Sequence, residues 1–550
     1  MLFRTAGTPT NFFFKHARPD GRRIIFLQDK ERSTRHMKKR IIVCVLTLLM
    51  LSLMTACGGG TNPDGNTDGF PVPEGEPSYG GEITVGITAD LDSSLDPHVS
   101  SSSAGTREVL FNVFEGLMKT DPEGNMVPAV AESYTVNDAA DEYTFVLRKG
   151  IKFHNGNDVT VDDVVYSLSR AAGLETGEPL VADVANIKSV KATGDDTIVI
   201  KLAAPDTEFL AHITTAIIPK DIDPSKEVVG TGPFKFAGRK VQDNIVLEKF
   251  GEYWGEPAYL DKVTLKVIDN SETLVMSLKS GAIDMATHLI ASQVKELQGL
   301  NIVEGPSNAV QALYLNNSFK PFSDVRVRQA LCYAVNKQDI LDLAFDGYGS
   351  LVGSSMFPAL KNYFMDDLTN YYEPDPAKAK ELLTEAGYPD GIEFTITVPS
   401  TMQQHVDTAQ VIVEQLQAAG ITAKINQVDW TTWLEDVYKG RKFEATVVSL
   451  DSHGVAASDL LARFQSDNAK NFINFSSEEY DAAYKKAIST VDPEAQTEAF
   501  KECETILTEQ AANVYIQDTS SFVAMGADYY GYVYYPLYVA DFAKVYKFAE

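Results

Sequence analysis

The chain has 550 residues, and its 76 Asp and Glu greatly outnumber its 48 Lys and Arg. Residues 1–56 hold 11 of the basic residues and 3 of the acidic ones, so removing their net charge of +8 from the whole-chain −28 leaves −36 for the rest. A surface this acidic repels phosphate backbones and argues against nucleic acid as a partner. It does not define a small ligand, because a cleft can differ in charge from the average surface.

The N-terminal region has the parts of an export signal. Residues 37–40 read Met-Lys-Lys-Arg, residues 41–56 are mostly apolar, and Ala56 precedes Cys57 and two glycines. This order predicts cleavage before Cys57 and acylation of its thiol. The apolar run is shorter than the ~20 residues needed to cross a bilayer, which disfavours the alternative of a retained transmembrane anchor. We therefore expect a lipid anchor in the cell envelope, on the outer face of the cytoplasmic membrane or in the periplasm.

Two further segments are left out of the predicted fold. Residues 1–36 are basic and lack periodicity, so they are either a misassigned start, with translation beginning at Met37, or an extension. Residues 57–80 contain little apolar surface and cannot fold alone, which predicts a flexible tether. The remaining chain of about 470 residues exceeds one ordinary core, so at least two lobes are expected.

Periodicity predicts the elements of the folded part in chain order. Residues 143–153 and 196–202 read as strands among turn-rich segments, which indicates a mixed α+β lobe in the N-terminal half. Residues 312–315 read as a strand, and Asp324 is the predicted N-cap of the helix that follows.

The C-terminal half alternates helices with strands. Asp375 caps a helix that begins at Pro376 and stops at Gly387. The predicted elements after it are a strand at 392–398, a helix at 406–419, a strand at 421–428, a helix at 430–439 and a strand at 443–449. This alternation predicts a mostly parallel sheet covered on both faces.

The sequence lacks the motifs of common enzymes. It has no Gly-x-Ser-x-Gly elbow, His-Glu-x-x-His pair, phosphate-binding loop or dinucleotide fingerprint, and the six histidines after residue 56 are scattered singly. We therefore expect no enzyme, no cofactor and no metal site. Cys332 and Cys503 lie in apolar contexts, where they are either buried thiols or a disulfide that requires proximity in the fold.

Several blocks of the chain resemble one known family. Residues 313–340 closely resemble the signature of family 5 extracellular solute-binding proteins, which are the peptide-binding receptors of ABC importers. A second signature is matched, in order, at residues 114–118, 121–124, 127–134, 143–156 and 161–165. Further matches lie at residues 230–235, 253–254, 281–284 and 428–430. The resemblance runs from about Gly81 to the C-terminus.

The resemblance implies an α/β fold of the two-lobe, periplasmic-binding-protein-like kind. In this family two segments cross between the lobes, and an extra small domain is inserted in the first lobe. The boundaries that we expect are 81–115, 229–310 and 516–550 for lobe I, 116–228 for the inserted domain, and 311–515 for lobe II.

The resemblance also implies a role in import. We expect a monomeric, lipid-anchored receptor that captures an oligopeptide or dipeptide and delivers it to the permease subunits of an ABC transporter. The alternatives are the same role for a nickel chelate, haem or an oligosaccharide, a peptide-sensing receptor, and a hydrolytic lipoprotein.

The turn after the strand predicted at 443–449 is where the resemblance places the partner of a peptide's amino group. In this family an acidic residue of a Trp-x-x-Asp-Tyr turn usually pairs with the ligand's α-amino group. Here the family tryptophan falls on Leu450 and the acidic residue on His453, with Asp451 two positions earlier. Our hypothesis is that Asp451 takes the amino group from a shifted turn, while capping by Asp451 and Ser452 is the ordinary alternative.

Other ligand contacts are expected around this turn. His453 is either a hydrogen-bonding, cationic or metal-binding partner of the ligand or a solvent-facing turn residue. Trp430 resembles the family position whose ring lines the cleft, and Trp433 is then expected in the core. Hydroxyls of Ser101, Ser102 and Ser103 resemble the loop of the first lobe that meets the ligand, although serines before a helix are also ordinary caps.

Overall fold

The computed structural model describes residues 75–99, 104–452 and 454–549. Cys57 and the export signal lie outside these ranges, as do Ser101, Ser102, Ser103 and His453, so those site predictions stay predictions. Within the described ranges, no helix combines the length and the apolar character that crossing a membrane requires.

The described residues contain twenty strands. In chain order they are β1 (Pro77–Ser78), β2 (Glu82–Ile87), β3 (Met118–Thr120), β4 (Met126–Pro128), β5 (Ala131–Val136), β6 (Glu142–Leu147), β7 (Ile187–Ala192), β8 (Thr197–Leu202), β9 (Phe234–Lys240), β10 (Asn244–Lys249), β11 (Lys262–Val267), β12 (Met285–Leu289), β13 (Asn301–Leu315), β14 (Gly349–Leu351), β15 (Glu393–Pro399), β16 (Thr422–Val428), β17 (Ala445–Asp451), β18 (Asn513–Met525), β19 (Tyr529–Tyr530) and β20 (Tyr546–Phe548).

The α-helices of the same residues are named in the same way. They are α1 (Ala104–Leu110), α2 (Val161–Ala171), α3 (Phe209–His212), α4 (Ser271–Ser280), α5 (Ala291–Val294), α6 (Val325–Ala334), α7 (Lys337–Phe345), α8 (Pro376–Glu385), α9 (Gln403–Gln417), α10 (Trp430–Thr432), α11 (Ala457–Leu461), α12 (Glu478–Ser489) and α13 (Pro493–Glu509).

Local sequence signals place several of these elements correctly. The Asp324 carboxylate accepts a hydrogen bond from the Arg326 backbone at the start of α6, and Asp375 does the same at the start of α8, which confirms both predicted caps. The alternating helices and strands of the C-terminal half are confirmed with ends shifted by a few residues. The predicted helix at 430–439 begins as α10 and widens into a π-helix at Trp433–Lys439.

An eleven-stranded sheet runs through the molecule in the order β16-β15-β17-β13-β18-β12-β2-β11-β10-β9, with β14 beside β18. β15 is parallel to β16 and to β17, as predicted for the C-terminal half. The sheet as a whole is mixed, because β13 is antiparallel to both β17 and β18. The mostly parallel sheet predicted for this half is therefore confined to three strands.

Successive side chains of the long strand β13 point to opposite faces of the sheet and pack into two different hydrophobic clusters. Val310, Ala312 and Tyr314 face the cluster that contains Cys503, whereas Leu313 faces the cluster that contains Cys332. Both cysteines are buried and unpaired. The disulfide alternative is therefore wrong, because the two thiols pack in separate clusters.

β13 and β18 connect the two halves of the sheet. Residues 301–306 of β13 pair with residues 520–525 of β18, the part of β18 that also pairs with β12. Residues 310–314 of β13 pair with residues 513–518 of β18 and, on their other side, with β17. The register shifts between Pro306 and Val310, where Asn308 has a positive φ of 56°. Gly305 precedes this break, where a Cβ would stand 2.3 Å from the Tyr534 ring. We call residues 305–309 the crossing.

A separate four-stranded antiparallel sheet has the order β5-β6-β8-β7. It shares a core with α2 and α3, in which Phe145, Leu168 and Phe209 are buried. This sheet lies inside the range predicted for the inserted domain, whose exact boundaries stay a prediction, like those of the two lobes.

Candidate functional site

The parallel strands of the C-terminal half end together at the crossing. Val428 at the end of β16 pairs with Pro399 at the end of β15, and Asp451 at the end of β17 pairs with Ala309 of β13. In open α/β sheets, ligands bind outside the carboxyl ends of parallel strands. This edge is therefore the candidate functional site.

Asp451 meets a cation from the other half of the sheet. Its Oδ2 lies 3.9 Å from a terminal nitrogen of Arg107 on α1, and its side chain remains 46% exposed, compared with 19% for Arg107. Burial lowers the pKa of the Arg107 guanidinium, and the charge of Asp451 is first among the effects that raise it again, ahead of Asp183. The backbone carbonyl of Asp451 accepts a hydrogen bond of 3.0 Å from Arg463. We call Arg107 and Asp451 the charged pair.

A second set of polar groups lies beside the charged pair. The buried carboxylate of Glu108 is 2.9 Å from Nε2 of His288, which has a positive φ of 57°. The His288 ring stacks on Tyr538 with centroids 4.1 Å apart and planes within 6°. Burial and the nearby charges of Glu108 and Asp451 raise the pKa of Tyr538 well above its ordinary value, so its hydroxyl stays protonated.

A cavity of about 190 Å³ opens at the crossing. Its walls come from the end of β12, the crossing itself, β18, the start of α9 and the tyrosine-rich C-terminal segment. Polar residues of these walls are His288, Ser307, Asn308, Gln404, Ser520, Ser521, Tyr532, Tyr534 and Tyr538. We call it the crossing cavity. Its mixed lining of hydroxyls, amides and rings is suited to an uncharged group of modest size.

The two tryptophans after β16 divide between surface and core. Trp430 is 42% exposed, whereas Trp433 is buried and donates a hydrogen bond of 3.0 Å from Nε1 to the Thr446 hydroxyl. Their rings stack with centroids 5.0 Å apart and planes within 10°. The buried ring thus holds the exposed one in place, which leaves a flat apolar face available to a ligand.

The segment around α3 contacts α11, which follows the turn after Asp451. Glu208 is buried and accepts hydrogen bonds from the backbone nitrogens of Ala457 at 2.7 Å and Ser458 at 3.2 Å. His212 lies 3.3 Å from Asp206 and 3.7 Å from Asp459. Burial alone would lower the pKa of His212, but hydrogen bonds to both aspartates raise it to about 11. We call these contacts the latch.

Buried polar groups also hold the crossing strands. The amide of Gln311 contacts His405 at 3.0 Å and accepts from Gln517 at 2.9 Å. Asp518 accepts a hydrogen bond of 3.2 Å from the backbone of Ala309, and burial raises its pKa to about 7. Among the described residues, no group of three His, Cys, Asp or Glu side chains could hold a metal ion. The hydrogen bonds of Gln311 and Asp518 join β13, β18 and α9 at the crossing.

The structure describes two of the predicted site residues, Asp451 and Trp430, and adds other polar groups at the same edge of the sheet. Asp451 lies at the edge of the sheet and Trp430 is exposed just beyond β16, while no described contact bears on the serines 101–103 or on His453. Arg107, Glu108, His288 and Tyr538 were not predicted as site residues. Their only signal in the sequence is position: Arg107 and Glu108 closely follow the serine loop, and Tyr538 belongs to a tyrosine-rich segment.

Comparisons with known proteins identify the family of the chain. The family described as bacterial extracellular solute-binding proteins, family 5 Middle, matches residues 125–472. The oligopeptide-binding protein AppA of Bacillus subtilis is 27% identical over 532 residues, which cover 91% of this chain and 97% of that protein. The glutathione-binding protein GsiB of Escherichia coli K12 is 29% identical over 457 residues, covering 78% and 87% respectively.

Solved structures show the same fold. AppA from Bacillus subtilis in complex with a nonapeptide superimposes with a TM-score of 0.71 at 26% identity, covering 86% of this chain and 100% of that one. DppA from Helicobacter pylori in complex with the peptide STSA gives a TM-score of 0.71 at 28% identity, with 86% and 99% covered. The predicted two-lobe α/β fold is thereby confirmed. The chain belongs to the family 5 extracellular solute-binding proteins and is the substrate-binding protein of an ABC importer.

Proposed function

We propose that the protein is a lipid-anchored receptor that closes on a peptide and delivers it to the permease subunits of its importer. The observation that carries the proposal is Asp451, a half-exposed carboxylate at the carboxyl end of β17, at the crossing between the two halves of the sheet. The relatives described above are named for an oligopeptide and for glutathione, and one neighbour holds the peptide STSA. A peptide with a free N-terminus offers an ammonium group to such a carboxylate.

The binding mode follows from the groups at this edge. The peptide's ammonium lies against Asp451, a charge-assisted contact stronger than a neutral hydrogen bond. An apolar side chain of the ligand covers the exposed Trp430 ring. Hydroxyls and waters of the crossing cavity accommodate other side chains without a strict sequence code. Hydrolysis has no part in this role.

The ligand class is tested with the full chain, extracted in detergent after expression in a bacterial host. The protein is unfolded and refolded to remove bound ligand, which mass spectrometry then identifies. Thermal shifts are measured against panels of peptides, oligosaccharides, nickel chelates and haem. We expect peptides to co-purify and to raise the melting temperature, because a ligand that binds only the folded state stabilises it. A shift with another class alone, and none with peptides, would contradict peptide capture.

The role of Asp451 is tested by Asp451→Asn, which keeps the shape and removes the charge. We expect peptide affinity to fall at least about tenfold, equivalent to roughly 1.4 kcal/mol. Asp390→Asn, at an exposed position after α8, is the matched control and should leave the affinity unchanged. Equal affinities for both variants, measured by calorimetry, would show that Asp451 does not anchor the ligand.

Lipid anchoring depends on Cys57. A thiol acylated after cleavage places the chain on the membrane, and the tether from residue 57 to 80 then gives the folded part its reach. We expect labelled palmitate to be incorporated into the wild-type chain and the protein to sediment with membranes. Cys57→Ser should abolish the label and slow signal cleavage. Equal labelling of the variant would contradict acylation at Cys57.

A further inference from the structure

The small sheet formed by β1, β20 and β19, in that order, has an aromatic outer face. Side chains alternate between the two faces of a strand. Tyr529 is buried in the hydrophobic cluster that contains Val85, so it belongs to the inner face, and Tyr530 belongs to the outer one. Tyr546 pairs with Tyr530 across the sheet, and Phe548 follows two residues later on the same face. Three rings therefore point away from the core.

Two further rings extend this group into a continuous row. Ring centroids are 4.9 Å apart for Tyr79 and Tyr259, 5.3 Å for Tyr259 and Tyr546, 5.3 Å for Tyr546 and Phe548, and 4.9 Å for Phe548 and Tyr530. Tyr79 is 61% exposed, and the other four are partly exposed. We call these five rings the aromatic face. The solvated side of an antiparallel sheet is ordinarily polar, so this exposed apolar surface indicates a contact with another body.

Lysines accompany the aromatic face, although the chain after residue 56 has a net charge of −36. The Lys249 ammonium lies 4.9 Å from the centroid of the most exposed ring. Lys544 is paired with Glu256 at 2.8 Å, and Lys547 is paired with Asp528. Tyrosine rings with lysines beside them are typical of protein surfaces at the boundary between a membrane and water.

The point where the chain enters the fold indicates what covers the aromatic face. Gly75 is the first described residue, and a Cβ there would stand 3.0 Å from the Phe548 ring. Residues 57–74 join this point to Cys57. A flexible chain of that length spans about 24 Å on average and roughly 60 Å at full extension. The aromatic face therefore lies within reach of a bilayer that holds Cys57.

We propose that the aromatic face rests on the lipid bilayer in which the acylated Cys57 is anchored, with its rings at the level of the lipid headgroups. The inference rests on the lipid anchoring of the proposed function. A tyrosine suits this position because its ring is apolar and its hydroxyl is polar. The acyl chains hold the protein at the membrane, and the aromatic face gives it one orientation there.

A fluorescent probe on the full chain tests this contact. Glu76 is exposed beside the aromatic face, and Glu76→Cys provides a thiol there for an NBD label. Cys332 and Cys503 do not compete for the label, because both are buried and burial raises the pKa of each thiol to about 12. Leu343→Cys, at a 74% exposed position of α7, is the matched control.

The labelled proteins are reconstituted into vesicles of phosphatidylethanolamine and phosphatidylglycerol, with or without phosphatidylcholine brominated near the headgroup end of its acyl chains. Brominated lipid quenches a probe only at close range. We expect it to lower the emission of the probe at position 76 about twofold. The probe at position 343 should keep its emission. Sedimentation with the vesicles is measured on the same samples and reports the acyl anchor.

Substitutions in the aromatic face assign the contact. Tyr79→Asp places a charge at the most exposed ring, and we expect it to abolish the quenching at position 76 while sedimentation persists, because a carboxylate is costly to bury in lipid. Tyr79→Phe keeps the ring and should keep the quenching. Tyr371→Asp, at a 45% exposed ring that packs on Tyr372, is the matched control and should keep it as well. Circular dichroism checks the fold of each variant.

The possible outcomes separate the anchor from the orientation. Sedimentation without quenching at position 76 would overturn the inference and leave lipid anchoring intact, whereas loss of sedimentation would overturn both. Quenching that survives Tyr79→Asp would show that the rings do not make the contact. A dimer in detergent that Tyr79→Asp dissociates would assign the aromatic face to a second copy of the chain. A shift of the probe by N-acetylglucosamine oligomers, without quenching by lipid, would assign it to a glycan.

Discussion

Single residues at the candidate site owe their roles to partners that are distant in sequence. His288 adopts a left-handed backbone conformation that is uncommon for residues other than glycine, and it contacts both Glu108 and Tyr538. Such backbone strain is concentrated at functional sites. The sequence could not indicate this cluster, because neither residue type nor spacing shows that α1, β12 and the C-terminal segment meet.

The tryptophan pair gives a prediction about two adjacent roles. Trp433→Phe removes the donor to the buried Thr446 hydroxyl, so we expect a loss of about 1–3 kcal/mol in the free energy of unfolding. Trp430→Phe changes an exposed ring and should cost less than about 0.5 kcal/mol, but it should remove most of the ligand-induced change in tryptophan fluorescence. Urea titration and fluorescence at saturating ligand measure the two effects.

The reverse pattern would contradict this division. If Trp430→Phe destabilised the fold as much as Trp433→Phe, the exposed ring would be part of the core. If the wild-type fluorescence did not respond to saturating ligand, Trp430 would not contact it. Trp254 is the third tryptophan of the chain and lies far in sequence from Trp430 and Trp433. It donates a hydrogen bond to Glu115, and its fluorescence is the background signal in both variants.

At the scale of elements, the sequence predicted features that depend on neighbouring residues, such as helix ends. It did not predict features that depend on distant residues, such as strand pairing. Asp324, Asp375 and Gly387 indicate where helices begin or stop because a cap needs only its next few residues. The antiparallel position of β13 in the middle of the sheet could not be predicted in this way, because strand pairing joins segments far apart in the chain. The π-helix after α10 was also missed, since π-helices are rare and the sequence pattern of this segment is that of an ordinary helix.

The site followed the same rule. Asp451 and Trp430 were predicted because the resemblance and the ends of predicted strands point to them, and their roles stay predictions. Glu208 was missed, although it is buried and bonded to α11, because its partner Ala457 is 249 positions away. Only the folded chain shows that a side chain from the segment around the four-stranded sheet reaches α11, the helix that follows the turn after Asp451.

At the scale of the whole molecule, we infer that the latch couples proton binding to the closing motion of the proposed function. Asp206 and His212 lie on the same segment, whereas Asp459 belongs to α11 on the opposite side of the contact. Separation of the two sides removes Asp459 and lowers the pKa of His212 from about 11. Closing therefore takes up a proton at pH values between the open-state and closed-state pKa.

The direction of the pH effect follows from His212. A histidine whose pKa is raised on closing stabilises the closed state fully below its open-state pKa, and the contribution is lost as the pH rises toward 11. Burial raises the pKa of Glu208 above its ordinary value, while the hydrogen bonds that it accepts from Ala457 and Ser458 across the contact lower it. Tyr363 donates a hydrogen bond to Glu208, and Tyr484 stays protonated because burial raises its pKa.

We therefore expect His212→Gln to lower ligand affinity most at pH 6.5 and least at pH 9.5. As the pH rises toward about 11, the wild type loses the stabilisation that protonated His212 gives to the closed state, whereas the variant has none to lose. The ratio of wild-type to variant dissociation constants is measured by calorimetry at each pH, which cancels titration of the ligand's own amino group. Asp459→Asn should give the same trend, and Asp390→Asn should give none. A ratio that stays constant between pH 6.5 and 9.5 would show that His212 exchanges no proton on closure and that the latch is a fixed packing contact.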